Sequence, residues 1–458
     1  MKSVLLISPN QEKIPYPVAP IGLLYIADAL KKALFKVSLL DLCFSENIRR
    51  DIETRIRRSK PDYIGISLRN VDNLTFPKSI SYLPAFKGIV RTIRRCTGAP
   101  IVLGGSAFSL FPREILSFLE CEWGVAGEGE EAFVELLNVF RDDTAAYGKI
   151  DNLAWKKKGE ILLNRVRHMS SSSEYAPDYG LIDNALYMKR GGMANLQTKR
   201  GCRFRCSYCT YPSIEGKTYR LRPPEAVAAD MSLLQRKYAV SHVFFVDDVF
   251  TYPAAHASAV CEALIKKGTR MRWSCFASPS GISGTLLAQM KKAGCTHIEF
   301  GSDSLSDRVL TKMRKPFLSD DILRAGRLCK EAGIKCAHYI IFGAPGENRV
   351  TLKEQFRAIR VLEGDAVIAM IGIRIYPGTQ LQKVSLREKI IKSGDDLLSP
   401  RFYLSPEISQ RELLERVARF TRSAAQCIVP GLEIRSSEKM YSVLRAHYQE
   451  GPLWGYLG

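Results

Sequence analysis

The sequence predicts an α/β protein. It opens with a doubly wound, Rossmann-like parallel sheet, continues as an open (β/α)6 partial barrel and ends in a small, mostly helical region. Three observations carry that expectation. Short apolar runs alternate with helix-period segments, the rhythm of parallel strands covered by helices. The rhythm breaks between residues 146 and 190 and then resumes. The 458 residues allow about three domains of roughly 150 residues each. Hydrophobic residues make up 46% and charged residues 25%, an ordinary globular balance that excludes wholesale disorder. No uninterrupted apolar run reaches the roughly 18 residues of a spanning helix.

Val4 to Ile7 reads as a buried strand, stopped by Ser8-Pro9. Ala19-Pro20-Ile21-Gly22 then leads into a helix with Leu23, Leu24, Ala27 and Leu30 on one face. Val37–Leu40 is the next strand, and residues 47–60 form an Arg-rich helix with a solvated face. Asp62 to Ser67 is a third strand that runs into the polar loop LRNVDN, and residues 84–95 are helical. Ile101-Val102-Leu103 ends in Gly104-Gly105-Ser106. Val125-Ala126 ends in Gly127-Glu128-Gly129-Glu130, which opens a helix through Leu137. Ligands of doubly wound sheets lie beyond the C-terminal strand ends. The candidate loops are therefore 8–20, 68–73, 104–108 and 127–130. Glycines there let backbone approach a bulky ligand, and helix starts supply N–H donors.

The segments PIGLLYIADAL, PDYIGIS, VLGG and GEGEEAF, in this order, resemble the cobalamin-binding domain that precedes many radical S-adenosylmethionine (SAM) enzymes. The resemblance covers roughly residues 1–140 and gives a first domain over 1–145. It implies cobalamin contacts at Pro20, Gly22, Arg69, Asn70, Gly104, Gly105, Ser106, Gly127, Glu128 and Gly129. None of the six histidines lies in the first 150 residues. The resemblance therefore implies a base-off cobalamin with no His ligand from this domain, its lower face lined by Arg69 or Asn70.

Residues 146–190 read as a linker. Asn152–Trp155 and Ile161–Leu163, around Lys-Lys-Lys-Gly-Glu, form a hairpin, and Ser170–Ser173 with Pro177 marks a connector.

The segment Lys199 to Cys209 carries C-x3-C-x2-C through Cys202, Cys206 and Cys209. Three thiolates in one loop after a strand can each bind one iron of a 4Fe–4S cluster. The fourth iron is left open to chelate the amine and carboxylate of SAM. A structural zinc site wants four ligands, and no nearby Cys or His completes one. Tyr208, just before the last cysteine, fits the radical SAM pattern.

Downstream, residues 194–198, 242–246, 271–275, 297–301, 336–342 and 367–375 read as the six barrel strands within a domain over 191–385. Active groups of such barrels sit at C-terminal strand ends. In the family the second strand end meets the SAM amine, and VFFVDDVF places Asp247 or Asp248 there. IEFGSDS, FGAPGEN and IRIYPGT resemble later strands of cobalamin-type radical SAM enzymes, which implies Ser302 and Asp303 near the SAM ribose or carboxylate. Residues 386–458 contain a helical stretch, 412–428, and an aromatic tail of Tyr441, Tyr448, Trp454 and Tyr456. Regions of this kind often close over the substrate.

The resemblance implies a cobalamin-dependent radical SAM enzyme of the methyltransferase-like class. Its cofactors are a 4Fe–4S cluster, SAM and cobalamin, and it methylates an unactivated carbon, or phosphorus, of a small-molecule, lipid or natural-product substrate. Ring contraction, cyclisation or rearrangement without methyl transfer uses the same cofactors, and the residues do not separate these outcomes. No individual catalytic residue stands out. A one-electron donor such as flavodoxin or ferredoxin is implied. Twelve cysteines without a secretory signal point to the reducing cytoplasm. The formal charge is +20, of which +17 falls after residue 150. That excess could favour an anionic membrane surface or RNA. Cys43, Cys96 and Cys121 do not resemble the cysteine motifs of RNA methylthiotransferases, so no specific nucleic acid is expected.

Overall fold

The computed structural model describes all residues except 141–144, 173, 425, 431, 433–442, 444–450 and 457–458. Ser173, Tyr441, Tyr448 and His447 therefore lie outside the described residues. Strands β1 (Ser3–Ser8), β2 (Lys36–Asp41), β3 (Tyr63–Ser67), β4 (Ile101–Gly104) and β5 (Trp123–Val125) form a parallel sheet in the order β2-β1-β3-β4-β5. The continuous apolar run of β1 is buried on both faces, as central parallel strands are. Val4 and Leu6 face a core with Leu24, Ala27 and Leu30 of the helix Ile21–Lys32. Leu5 and Ile7 face Ile52 and Ile56 of the helix Ile48–Ser59. That second helix buries only those two isoleucines, and its arginines face outward. Asn47 starts it by accepting a hydrogen bond from the Arg50 N–H at 3.0 Å.

The hairpin at 152–163 is part of this sheet. Strands β6 (Leu153–Lys157) and β7 (Glu160–Leu163) continue it as a hairpin, with β6 antiparallel to β5, Trp155 opposite Trp123 and Leu153 opposite Val125. The edge of a short β5 needs a partner, and the hairpin supplies one.

After β8 (Ala194–Leu196), a two-residue ribbon of β9 (Lys199–Arg200) and β10 (Arg220–Leu221) brackets the cysteine loop. The barrel continues with β11 (His242–Phe245), β12 (Arg272–Ala277), β13 (Cys295–Asp303), β14 (Lys335–Phe342) and β15 (Ala366–Ile371). A small ribbon of β16 (Ile373–Arg374) and β17 (Phe402–Tyr403) follows. The barrel sheet gains a seventh parallel strand, β18 (Cys427–Ile428), beside β15. Two residues inside a helix-rich region carry too little periodicity to be read as a strand.

The region expected to cover the substrate is distributed. The helix Gln410–Ser423 stacks Phe420 on Phe356 at 4.2 Å between ring centroids. At the other end Trp454 enters the barrel among Ala337 and Ala366, near the N-terminal strand ends. Its indole N–H donates to Glu299 Oε1 at 2.9 Å, while the Tyr339 hydroxyl donates to Oε2 at 2.8 Å.

The two domains share one interior. A single apolar cluster joins Leu68, Phe108 and Phe111 of the first domain to Met313, Ile375 and Tyr403 of the second. Buried Arg374 pairs with buried Asp72 at 2.9 Å across the same boundary. Among the described residues no helix is long and apolar enough to cross a membrane.

Candidate functional site

The cysteine loop is fixed at both ends. The Cys202 N–H donates to Gly216 O at 3.1 Å, and the Ser207 N–H donates to Met313 O at 2.9 Å. Gly201 has φ +88, and a Cβ there would stand 2.2 Å from Thr218 O, so only glycine lets β9 and β10 approach this closely. Cys202, Cys206 and Cys209 lie near enough to act on one another's charge. Burial pushes the Cys202 thiol up to about 11 and raises the other two. Among the described residues no three His, Cys, Asp or Glu side chains converge on a single-ion site. A four-iron cluster takes its ligands one per iron, on separate corners, and three thiols on one loop suit that arrangement.

The two carboxylates that end β11 are not equivalent. Asp247 accepts from the Thr198 N–H at 2.7 Å and pairs with the Lys199 ammonium at 3.0 Å, all of them buried. The Thr198 hydroxyl donates to it as well. Asp247 thus has no lone pair aimed at a ligand, and the expectation that either aspartate meets the SAM amine narrows to its neighbour. Both oxygens of Asp248 are buried without a partner. Burial drives its carboxyl well above the usual range, and the charges of Glu215 and Asp247 add to this. Glu215 itself accepts from Gln197 Nε2 and from the Gly201 N–H, each at 3.2 Å.

Tyr211, two residues past Cys209, is 47% exposed. Its hydroxyl is nevertheless pushed up by burial, then by the charges of Asp248, Glu215 and Cys209, with Arg69 opposing. Its surroundings therefore include Asp248, Glu215 and Cys209 of the barrel and Arg69 of the first domain.

The remaining expected SAM contacts are engaged internally. The Ser302 hydroxyl is 2.8 Å from His338 Nδ1. The Tyr208 hydroxyl donates to Asp303 Oδ2 at 2.7 Å, and Lys315 pairs with the same oxygen at 2.8 Å.

The strand order of the first, parallel sheet reverses between β1 and β3, so its ligand crevice opens between loops 9–20 and 68–73. Pro20 precedes the first helix, and a Cβ on Gly22 would meet nothing within 4 Å. Arg69 is exposed and Asn70 half-exposed at this crevice. Gly104, Gly105 and Ser106 serve packing. The Leu68 N–H donates to Gly104 O at 2.8 Å, and the Ser106 hydroxyl donates to Arg69 O at 2.7 Å. A Cβ on Gly105 would strike Leu68 O at 2.5 Å. The Gly127 N–H takes Ser109 Oγ at 2.8 Å, and a Cβ on Gly129 would touch Ile26 at 3.0 Å. Glu128 departs from expectation. Its carboxylate is buried and paired with Arg200 at 3.0 Å and Arg220 at 2.5 Å, while Glu130 takes the other Arg200 nitrogen at 2.6 Å. Its carboxylate ties the first domain to the cysteine ribbon and is not free for a ligand.

Reading the chain alone passed over Arg200, Glu215, Tyr211 and Lys315. Arg200 and Tyr211 flank the cysteine motif closely and could have been noticed. Lys315 lies more than a hundred residues away, with no local signal.

The loops at the strand ends of the two sheets thus meet at the domain boundary, where Arg69 acts on Tyr211. The B12 binding domain model matches residues 8–137, and the Radical SAM superfamily model matches residues 196–359. This chain is a radical SAM protein with a B12 binding domain. It is 24% identical to the tryptophan 2-C-methyltransferase of Streptomyces laurentii, over 84% of this chain and 75% of that one. It is 25% identical to the anaerobic magnesium-protoporphyrin IX monomethyl ester cyclase of Cereibacter sphaeroides, over 74% of this chain and 56% of that one. Its fold matches a radical SAM methyltransferase from Kitasatospora setae, solved with tryptophan substrate and a SAM analogue. The TM-score is 0.89 at 22% identity, over 100% of this chain and 97% of that one.

Proposed function

We propose that this radical SAM protein is an enzyme that binds a 4Fe–4S cluster, SAM and cobalamin and methylates an unactivated carbon, or phosphorus, of a small-molecule substrate. One observation carries the reading: three thiols on one fixed loop with a single buried carboxylate, Asp248, left unpartnered beside them. When bound, the three cofactors supply an electron, a reactive SAM and a transferable methyl group.

The chain's own residues supply placement. Cys202, Cys206 and Cys209 hold the cluster as thiolates. Asp248 accepts hydrogen bonds from an ammonium, the chemistry of the SAM amine. Tyr208, Ser302 and Asp303 shape the wall behind it. The crevice at Pro20, Gly22, Arg69 and Asn70 takes cobalamin, while Gly104, Gly105, Ser106, Gly127 and Gly129 set its contour through backbone. Residues 1–150 contain no histidine that could ligate cobalt, and the family resemblance implies that a bound cobalamin would be base-off, held beside Arg69 or Asn70. A flavodoxin- or ferredoxin-type donor delivers the electron.

Anaerobic reconstitution with iron, sulfide and hydroxocobalamin tests this, followed by SAM, a strong reductant and tryptophan, the substrate of a relative. Bound cobalamin, and SAM consumption only with intact cysteines, are expected. Failure to bind cobalamin overturns methyl transfer. The similarity to a cyclase favours a second reading, cyclisation or rearrangement without methyl transfer. SAM labelled in its methyl group separates the two, because only methylation moves the label into product.

A further inference from the structure

One buried cation near the thiols has no place in the scheme above. Lys315 follows the helix Asp307–Lys312, and its side chain is 7% exposed. Its backbone N–H donates to Leu310 O at 3.0 Å, which turns the chain back toward the cysteine loop. The ammonium lies 2.8 Å from Asp303 Oδ2, 5.2 Å from the Phe317 ring centroid and 5.9 Å from that of Tyr208. Tyr208 stands on the cysteine loop between Cys206 and Cys209, and the Lys315 charge acts on Cys206 and reaches Cys202 and Cys209. One desolvated ammonium, anchored beside Tyr208 of the cysteine loop, therefore biases all three ligand thiols through its charge. Asp303 holds it from β13 with φ +61, a left-handed conformation that a non-glycine residue keeps only under local constraint.

The potential of an iron–sulfur cluster is set by net charge, hydrogen bonds to the sulfurs and solvent exposure. Lys315 supplies the first, and Phe317, itself buried, limits the third. Reduction adds negative charge to the cluster, and a fixed cation in a low-dielectric site favours the more negative state. We infer that Lys315 sets the reduction potential of the cluster from beside Cys206, with Asp303 and Tyr208 as its positioning residues. The inference rests on the cluster reading above.

The experiment is an EPR-monitored redox titration of the reconstituted holoenzyme without SAM, after iron content and visible absorbance have been checked. Wild type, Lys315→Met, Lys315→Arg and Asp303→Asn are compared. The Met variant is expected to shift the reduced-to-oxidised ratio at least tenfold toward oxidised at a fixed potential, which is about 59 mV lower for one electron. The Arg variant keeps the wild-type value within about threefold. The Asn variant shifts the opposite way, because a carboxylate charge is lost. A wild-type protein that takes up no iron overturns the cluster reading itself. A fully loaded Met variant with an unchanged potential overturns the role of Lys315 while leaving the cluster in place. The same variant with weakened SAM binding would make Lys315 a SAM contact instead. If the Met variant does not load, the Asn variant decides: an upward shift supports the assignment and no shift overturns it.

Discussion

The C-terminal strand-end edges of the two sheets are built from similar sequence signals and use them differently. On the first sheet, glycine pairs and an acidic turn end β4 and β5. Structure consumes them: Gly105 packs on Leu68, and Glu128 is clamped by Arg200 and Arg220. On the barrel, the acidic pair that ends β11 divides. Asp247 is consumed in the same manner by Thr198 and Lys199, whereas Asp248 is left bare. A polar residue at a strand end is thus a ligand contact only where no neighbour has already claimed it. Which residues are claimed depends on contacts across the domain boundary, as the Glu128–Arg200 pair shows.

The strongest test removes the barrel edge's ligands. Replacing Cys202, Cys206 and Cys209 by alanine is expected to abolish cluster absorbance and SAM consumption and to leave cobalamin uptake intact, read by visible spectroscopy. Loss of cobalamin uptake as well would mean the two edges form one binding unit. Next comes the clamp. Arg200→Met leaves Glu128 and Glu130 buried without their shared cation and is expected to cost about 3–5 kcal/mol in a denaturant titration. Adding Glu128→Gln and Glu130→Gln should restore part of that loss.

The aspartate pair sharpens the contrast. Asp248→Asn is expected to raise the KM for SAM about tenfold, or about 1.4 kcal/mol, without lowering the unfolding midpoint. Asp247→Asn should instead lower the midpoint, since it strands the buried Lys199. A further test concerns Glu347 in the turn after β14, where burial pushes its carboxyl up to about 8. The folded chain then holds a proton the unfolded chain has lost, so this residue makes stability fall as pH rises from about 4.5 to about 8. Glu347→Gln should flatten that part of a stability–pH profile.

Much of this was legible in the residues because it is local. The C-x3-C-x2-C spacing, the apolar strand runs and the glycine turns each act within about ten residues, where periodicity and backbone geometry speak directly. The seven-stranded outlines of both sheets were partly hidden. The hairpin β6–β7 shows its turn but not its partner β5, and β18 is too short to announce itself. The internal claims on Asp247, Glu128 and Ser302 were illegible, since Lys199, Arg200 and His338 are defined as partners only by the fold. Lys315 was illegible for the same reason, for nothing in LTKMRKPF points to Cys206.

Trp454, whose indole sits against Glu299 inside the barrel, gives this protein an optical reporter of its own. Indole emission answers to nearby charge and to water. The other three tryptophans, Trp123, Trp155 and Trp273, lie in the first sheet or on β12. Light from position 454 therefore registers events at the barrel floor, and a Trp454→Phe difference spectrum would isolate it. Binding events that reach the barrel floor could then be followed in real time, before any product has formed.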